Sequence, residues 1–122
     1  MKVLIVDDED DIRRIARIAL TKVGKMDAIE ASSGAEGVRM AATERPDVVL
    51  LDVMMPGLDG PSTLAALRSD AATAPVPVIF LTAKAMASEV ERLKGLGARG
   101  VLTKPFDPMK LASEVMAILQ GP

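Results

Sequence analysis

The sequence contains no cysteine, no histidine, no tryptophan and no tyrosine. Without cysteine there is neither a disulfide framework nor a thiolate metal site, which suits a reducing cytosol. Without histidine there is no imidazole base, no imidazole metal ligand and no carrier of a phosphohistidine. Any chemistry therefore falls to carboxylates, hydroxyls and lysines. Long apolar stretches are missing as well. The run Val3–Val6 is cut off at once by Asp7 and Asp8, too soon for a signal sequence, and nothing later approaches the length of a membrane span. Basic charge is scarce too: 15 Lys and Arg stand against 17 Asp and Glu, a net charge of −2, with no basic stripe. Neither nucleic acid nor a membrane is expected as a direct partner, and the expected location is cytoplasmic.

What is present is enough for one domain, residues 1–122, with 49% hydrophobic residues to build its core. Short apolar runs alternate with segments of helical period. Val3–Val6, Ala28–Ile29, Val48–Leu51, Val76–Leu81 and Val101–Leu102 read as buried strands. Between them, Ile12, Ile15, Ala16, Ala19, Leu20 and Val23 make one face of a first helix, with Arg13, Arg14, Arg17 and Thr21 on its solvated side. Ser33-Gly-Ala-Glu36 is a capping-box pattern opening a second, with Ala35, Val38, Ala41 and Ala42 inward. Gly60-Pro61 opens a third, with Leu64 and Leu67 inward; Met86, Val90 and Leu93 mark a fourth that stops near Gly95 and Gly97. Asp107-Pro108 reads as N-cap and first turn of a fifth, with Leu111, Ala112, Val115, Ile118 and Leu119 inward. Strict alternation predicts an α/β fold: a five-stranded parallel sheet in the flavodoxin-like order 2-1-3-4-5, with five helices covering both faces.

In such sheets, sites form beyond the carboxyl ends of the strands, where strand order reverses. Asp7 and Asp8 follow the first strand, Asp52 the third, Thr82 the fourth and Lys104-Pro105 the fifth. The first and third strands are neighbours in this order, so Asp7, Asp8 and Asp52 converge. Crowded carboxylates repel one another, and a hard divalent cation relieves the conflict. Oxygen donors without His or Cys point to Mg²⁺ or Mn²⁺. Lys104 adds a cation and Thr82 a hydroxyl, which together suit transfer of a phosphoryl group to a carboxylate. An Asp-Asp pair after a strand is also a common helix cap. Here Asp10 and Asp11 are expected to cap, leaving Asp7 and Asp8 free.

The series Ile5-Val-Asp-Asp8, Leu51-Asp-Val-Met-Met-Pro-Gly-Leu-Asp-Gly60, Leu81-Thr-Ala83 and Leu102-Thr-Lys-Pro-Phe106 resembles the response-regulator receiver family of two-component signalling. The resemblance runs through the whole chain in order and spacing. It implies that Asp52 is the phosphoacceptor and that Asp8, Asp52 and the Met54 backbone carbonyl ligate the metal, with Asp7 acting through water. It further implies that Thr82 turns toward the phosphoryl group, that Lys104 binds it, and that the Lys104–Pro105 bond is cis. Timing residues in the family lie two positions after the acceptor and two after the threonine, here Met54 and Lys84. The implied donor is a sensor histidine kinase or histidine phosphotransfer protein. A downstream protein would read the surface around the fourth helix, fifth strand and fifth helix.

Two features depart from the family. Val101 occupies the place of a switching aromatic residue and has no ring to relocate. The charged dimer surface of the DNA-binding winged-helix subfamily is not reproduced around Arg99-Gly100 or in Met109-Lys-Leu-Ala-Ser-Glu114. Alternatives are a receiver fragment of a longer regulator and a receiver-like module that binds without phosphorylation. An aspartate-nucleophile phosphatase needs a second acid where Met54 stands. A nucleotide-binding domain needs a glycine loop where Asp-Asp-Glu-Asp follows the first strand.

Overall fold

The computed structural model describes residues 1–84 and 86–121; Ala85 and Pro122 lie outside them. Strands β1 (Lys2–Val6), β2 (Asp27–Ala31), β3 (Val48–Asp52), β4 (Val78–Thr82) and β5 (Gly100–Thr103) alternate with helices α1 (Asp10–Ile18), α2 (Gly34–Glu44), α3 (Gly60–Ser69), α4 (Ala87–Gly95) and α5 (Leu111–Gln120). All strand pairs are parallel, in the order β2-β1-β3-β4-β5 that the alternation predicts. Successive side chains point to opposite faces of the sheet. Val3, Ile5, Val48, Leu50, Ile79 and Leu81 pack with Ala16 and Leu20 of the first helical segment and with Leu111 and Val115 of α5. Leu4, Val6, Val49, Leu51, Val78 and Phe80 pack with Ala41 of α2, Leu64 and Leu67 of α3, and Leu93 of α4. Helices cover both faces, so β1, β3 and β4 need no polar alternation. Each buried aliphatic contributes about 1.5–3 kcal/mol relative to exposure.

Several local expectations are corrected. Ala16, Ala19 and Leu20 are buried, but Ile15 and Val23 are each 43% exposed. After Ile18 the helix passes into a π-helical turn, Ala19–Val23, with the Gly24 N–H donating to the Ala19 carbonyl at 3.2 Å. The wider turn carries Val23 off the inward stripe. In α2, Ala41 is buried and Val38 packs against the core as expected, but Gly34 and Gly37 also face inward, while Ala35 is exposed. A Cβ on Gly37 would come within 2.9 Å of Val6 Cγ2, so the helix lies closer to the sheet than alanine permits. Ser33 does cap α2, accepting from the Glu36 N–H at 3.1 Å, but the Glu36 carboxylate returns to the Ser32 N–H.

Asp10 and Asp11 do not cap α1. Glu9 is its N-cap residue, and Asp7 Oδ1 accepts the Glu9 N–H at 2.9 Å, so Asp7 is not left free. Nor does Asp107 cap α5 directly: it accepts the Met109 N–H at 2.9 Å and caps a turn, and the helix begins only at Leu111. β4 starts at Val78 rather than Val76, since Pro77 has no N–H to give a ladder.

Candidate functional site

β1 lies between β2 and β3, so the chain leaves its carboxyl end to one side and returns from the other. That reversal opens a crevice between the loops after β1 and β3. Asp52 is the last residue of β3, 4% exposed. Asp7 follows β1 and is fully buried, and Thr82 ends β4 at 5% exposure. Lys104 follows β5, its N–H donating to the Thr82 carbonyl at 2.8 Å, and the Lys104–Pro105 peptide is cis.

The loop after Asp52 folds back sharply. Gly57 turns it at φ +73°, and the Gly60 N–H donates to the Val53 carbonyl at 2.9 Å. A Cβ at Gly60 would lie 2.5 Å from the Asp52 carbonyl oxygen, so only glycine permits this approach. Asp59 then caps α3 by accepting the Ser62 N–H at 2.8 Å. The loop thereby holds Met54, 79% exposed, over the cleft that Asp52 floors. That cleft, about 210 Å³, is lined by Glu9, Asp52, Val53, Met54, Thr82, Ala83 and Lys104.

Lys104 Nζ binds three carboxylates: Asp7 Oδ2 at 3.0 Å, Asp52 Oδ1 at 3.3 Å and Glu9 Oε1 at 3.4 Å. Burial first, and then the Asp7 charge, push the Asp52 carboxyl up to about 6 despite the opposing pull of Lys104. Burial pulls the Lys104 ammonium down, but its hydrogen bond and charge contact with Asp7, and those with Asp52, outweigh this and leave it raised. The Thr82 hydroxyl accepts the Lys84 N–H at 3.0 Å and faces the Lys84 carbonyl at 3.4 Å. In this structure it serves the loop backbone and not Asp52.

Among the described residues, one ligand oxygen each from Asp7, Asp8, Glu9 and Asp52 lie within 4.8 Å of one another. An all-oxygen donor set of this size, partly exposed at Asp8 and Glu9, fits a hard divalent cation. Five of the residues singled out in the sequence, Asp7, Asp8, Asp52, Thr82 and Lys104, thus meet, with Met54 at the rim. Lys84 stands aside, lining an adjoining cleft with Met54, Glu89 and Arg92. Val101 is half-buried on β5 and lines a cleft of about 250 Å³ between α4 and α5.

Two residues of the site were not singled out. Glu9 reads in sequence as one more acid of a solvated helix start. Arg13 reads as part of a solvated face, yet its side chain is only 12% exposed and bonds to Asp7, Asp10 and Glu30. For Glu9 the signal was its place directly after the Asp-Asp pair. For Arg13 there was none, because Glu30 comes from a different element, β2.

Residues 3–116 match the response regulator receiver domain family. Over 120 residues the chain is 39% identical to the protein PilH of Pseudomonas aeruginosa, covering 98% of each. It is 40% identical over 121 residues to the alkaline phosphatase synthesis transcriptional regulatory protein PhoP of Bacillus subtilis, covering 98% of this chain and 48% of that one. It spans about half the length of the transcriptional regulators among its curated relatives. Among solved structures, the chemotaxis response regulator CheY4 of Vibrio cholerae superposes with a TM-score of 0.88 at 32% identity, over 96% of this chain and 97% of that one.

Proposed function

Because this chain belongs to the response regulator receiver domain family, we propose that its Asp52 carboxylate accepts a phosphoryl group from a partner phosphohistidine. A receiver domain is a phosphorylation switch of two-component signalling and not a dedicated enzyme. In this reading residues 1–122 form a single receiver domain. The observation that carries the assignment is Lys104 Nζ, which reaches both Asp7 and Asp52 at the mouth of a cleft floored by Asp52.

Asp8, Asp52 and the Met54 carbonyl would hold Mg²⁺ (or Mn²⁺), with Asp7 joined through water. The bound cation supplies charge neutralisation for the incoming phosphoryl oxygens. An Asp52 oxygen attacks phosphorus in line; the P–O bond forms as the P–N bond to the donor imidazole breaks, and the imidazole leaves with the bonding pair. Lys104 shifts part of its hydrogen bonding from the carboxylates to the phosphoryl group, and the Thr82 hydroxyl gives up the Lys84 backbone to donate there. The domain thereby catalyses its own phosphorylation, and later its hydrolysis, through the same groups. We place the donor as a sensor histidine kinase or phosphotransfer protein and the reader as a protein docking on α4, β5 and α5. No direct contact with nucleic acid or membrane is proposed, and the proposed location is the cytoplasm. Among the described residues, no helix is long and apolar enough to cross a membrane.

PilH is matched along nearly its whole length, whereas PhoP extends well beyond the match. Stand-alone receivers and receivers of longer regulators both occur among the relatives, and the switch reading is the same for either.

The experiment is incubation with a small acyl phosphate and Mg²⁺, followed by intact mass. The wild-type chain should gain one phosphoryl group, and Asp52→Asn none while remaining folded. An unlabelled wild type, or a mutant labelled at the wild-type rate, overturns the assignment.

A further inference from the structure

Both backbone groups of Asp7 are held. Its N–H donates to the Ala31 carbonyl of β2 at 3.2 Å, and its carbonyl accepts from Arg13 Nη1 at 2.7 Å. That carbonyl belongs to the Asp7–Asp8 peptide, a rigid plane from which the Asp8 Cα departs. Anchoring the oxygen therefore sets the direction in which Asp8 leaves the strand. The other nitrogens of the guanidinium are committed too: Nε donates to Glu30 Oε1 at 3.2 Å, and Nη2 to Asp10. Glu30 is itself gripped by Arg17 Nε at 2.8 Å. The fork thus ties the loop after β1 to α1 and to β2, and with only 12% of the side chain exposed it is held in that pose.

We infer that Arg13 is a positioning residue for the Asp7–Asp8 carboxylate pair, braced by Glu30; the inference rests on the phosphoacceptor reading of this site. Arg13 touches no reacting group. It acts through the peptide plane that aims the two carboxylates into the cleft.

The direction of the effect separates positioning from charge. A cation beside an acidic cluster repels Mg²⁺, so loss of charge alone would tighten metal binding. Loss of an outer support of the ligands weakens it, typically by 10–100-fold. Mg²⁺ affinity of the full chain, measured by calorimetry, should be about tenfold weaker in Arg13→Ala. Arg14→Ala removes the same charge from the exposed side of the same helix and should bind as wild type or slightly tighter. Arg13→Lys keeps the charge but not the fork, should bind several-fold weaker than wild type, and serves if Arg13→Ala does not fold.

A second readout needs no metal. The Glu9 N–H is bonded to Asp7 Oδ1, so its hydrogen exchange reports how firmly Asp7 is held. In metal-free Arg13→Ala or Arg13→Lys it should exchange faster while the Leu50 amide in β3 is unchanged. Unchanged or tighter Mg²⁺ binding in Arg13→Ala, or Glu9 exchange no faster than in wild type, overturns the inference. A wild type that binds no Mg²⁺ would instead sink the metal reading, and Glu9 exchange would still decide the role of Arg13.

Discussion

Lys104 Nζ lies 3.0 Å from Asp7 Oδ2, although 97 positions separate the two residues. Asp7 is fully buried, and among the described residues its carboxylate forms an ion pair with this ammonium. The contact closes the loop after the last strand onto the end of the first. It draws Asp52, 3.3 Å from the same nitrogen, into one charge system.

Removing the lysine should therefore act differently on stability and on metal binding. In chelator, Lys104→Ala should be less stable than wild type by on the order of 3 kcal/mol, because a buried carboxylate loses its partner. Mg²⁺ should restore much of the loss, and its affinity should be intact or tighter, since Lys104 is not a ligand. Phosphorylation by a small donor should fall sharply. Thermal melts with and without Mg²⁺ test this; a mutant that no longer binds the cation contradicts the role.

Asp52 gives the metal-free protein a pH signature. Its carboxyl is raised from about 3.8 in the unfolded chain to about 6 when folded. The folded state thus takes up the proton first, and the cost of the ionised form is present above about pH 6. It is relieved as pH falls through about 6 toward 4. In chelator, Asp52→Asn should be more stable than wild type at pH 8, by on the order of 1–3 kcal/mol, with the gap closing near pH 4. Urea titrations at the two pH values measure it, and an equal gap at both is the contrary result.

Asp7 and Asp8 should separate in two assays. Asp8→Ala removes the exposed carboxylate proposed to ligate the metal directly and should weaken Mg²⁺ binding more than Asp7→Ala does. Asp7→Ala strips an acceptor from Lys104 and from the Glu9 N–H, and should cost about 1–3 kcal/mol of stability. Equal losses of affinity, or a melting temperature lowered more by Asp8→Ala, would go against this division.

The lifetime of the phosphorylated state should depend on Met54 and Lys84. Hydrolysis needs a water aligned behind phosphorus. Met54, lying over the cleft, is apolar and cannot hold that water, and Lys84 donates but does not accept. The double variant Met54→Asn, Lys84→Glu should lose its label about tenfold faster, the scale of one hydrogen bond gained in the transition state. Decay at the wild-type rate would leave both side chains without a role in timing.

The alternation of elements, both faces of β1, β3 and β4, and the residue types at the strand ends were legible in the sequence. Each is a local signal: a β-branched run, a helical period, an acid or lysine where the run stops. Strand order followed from alternation, and convergence of Asp7, Asp8, Asp52, Thr82 and Lys104 from strand order. What tertiary structure decided is finer. One extra residue in the turn at Ala19–Val23 shifts helical phase and turns Val23 outward, a change no period count contains. Asp7 is buried and Asp8 exposed because the chain bends between them, under contacts from Lys104 and Arg13. Arg13 looks solvated along its own helix and becomes part of the site only because β2 brings Glu30 beside it. Local patterns are set by neighbours in the chain, whereas ion pairs and burial are set by residues that only the packed sheet brings together.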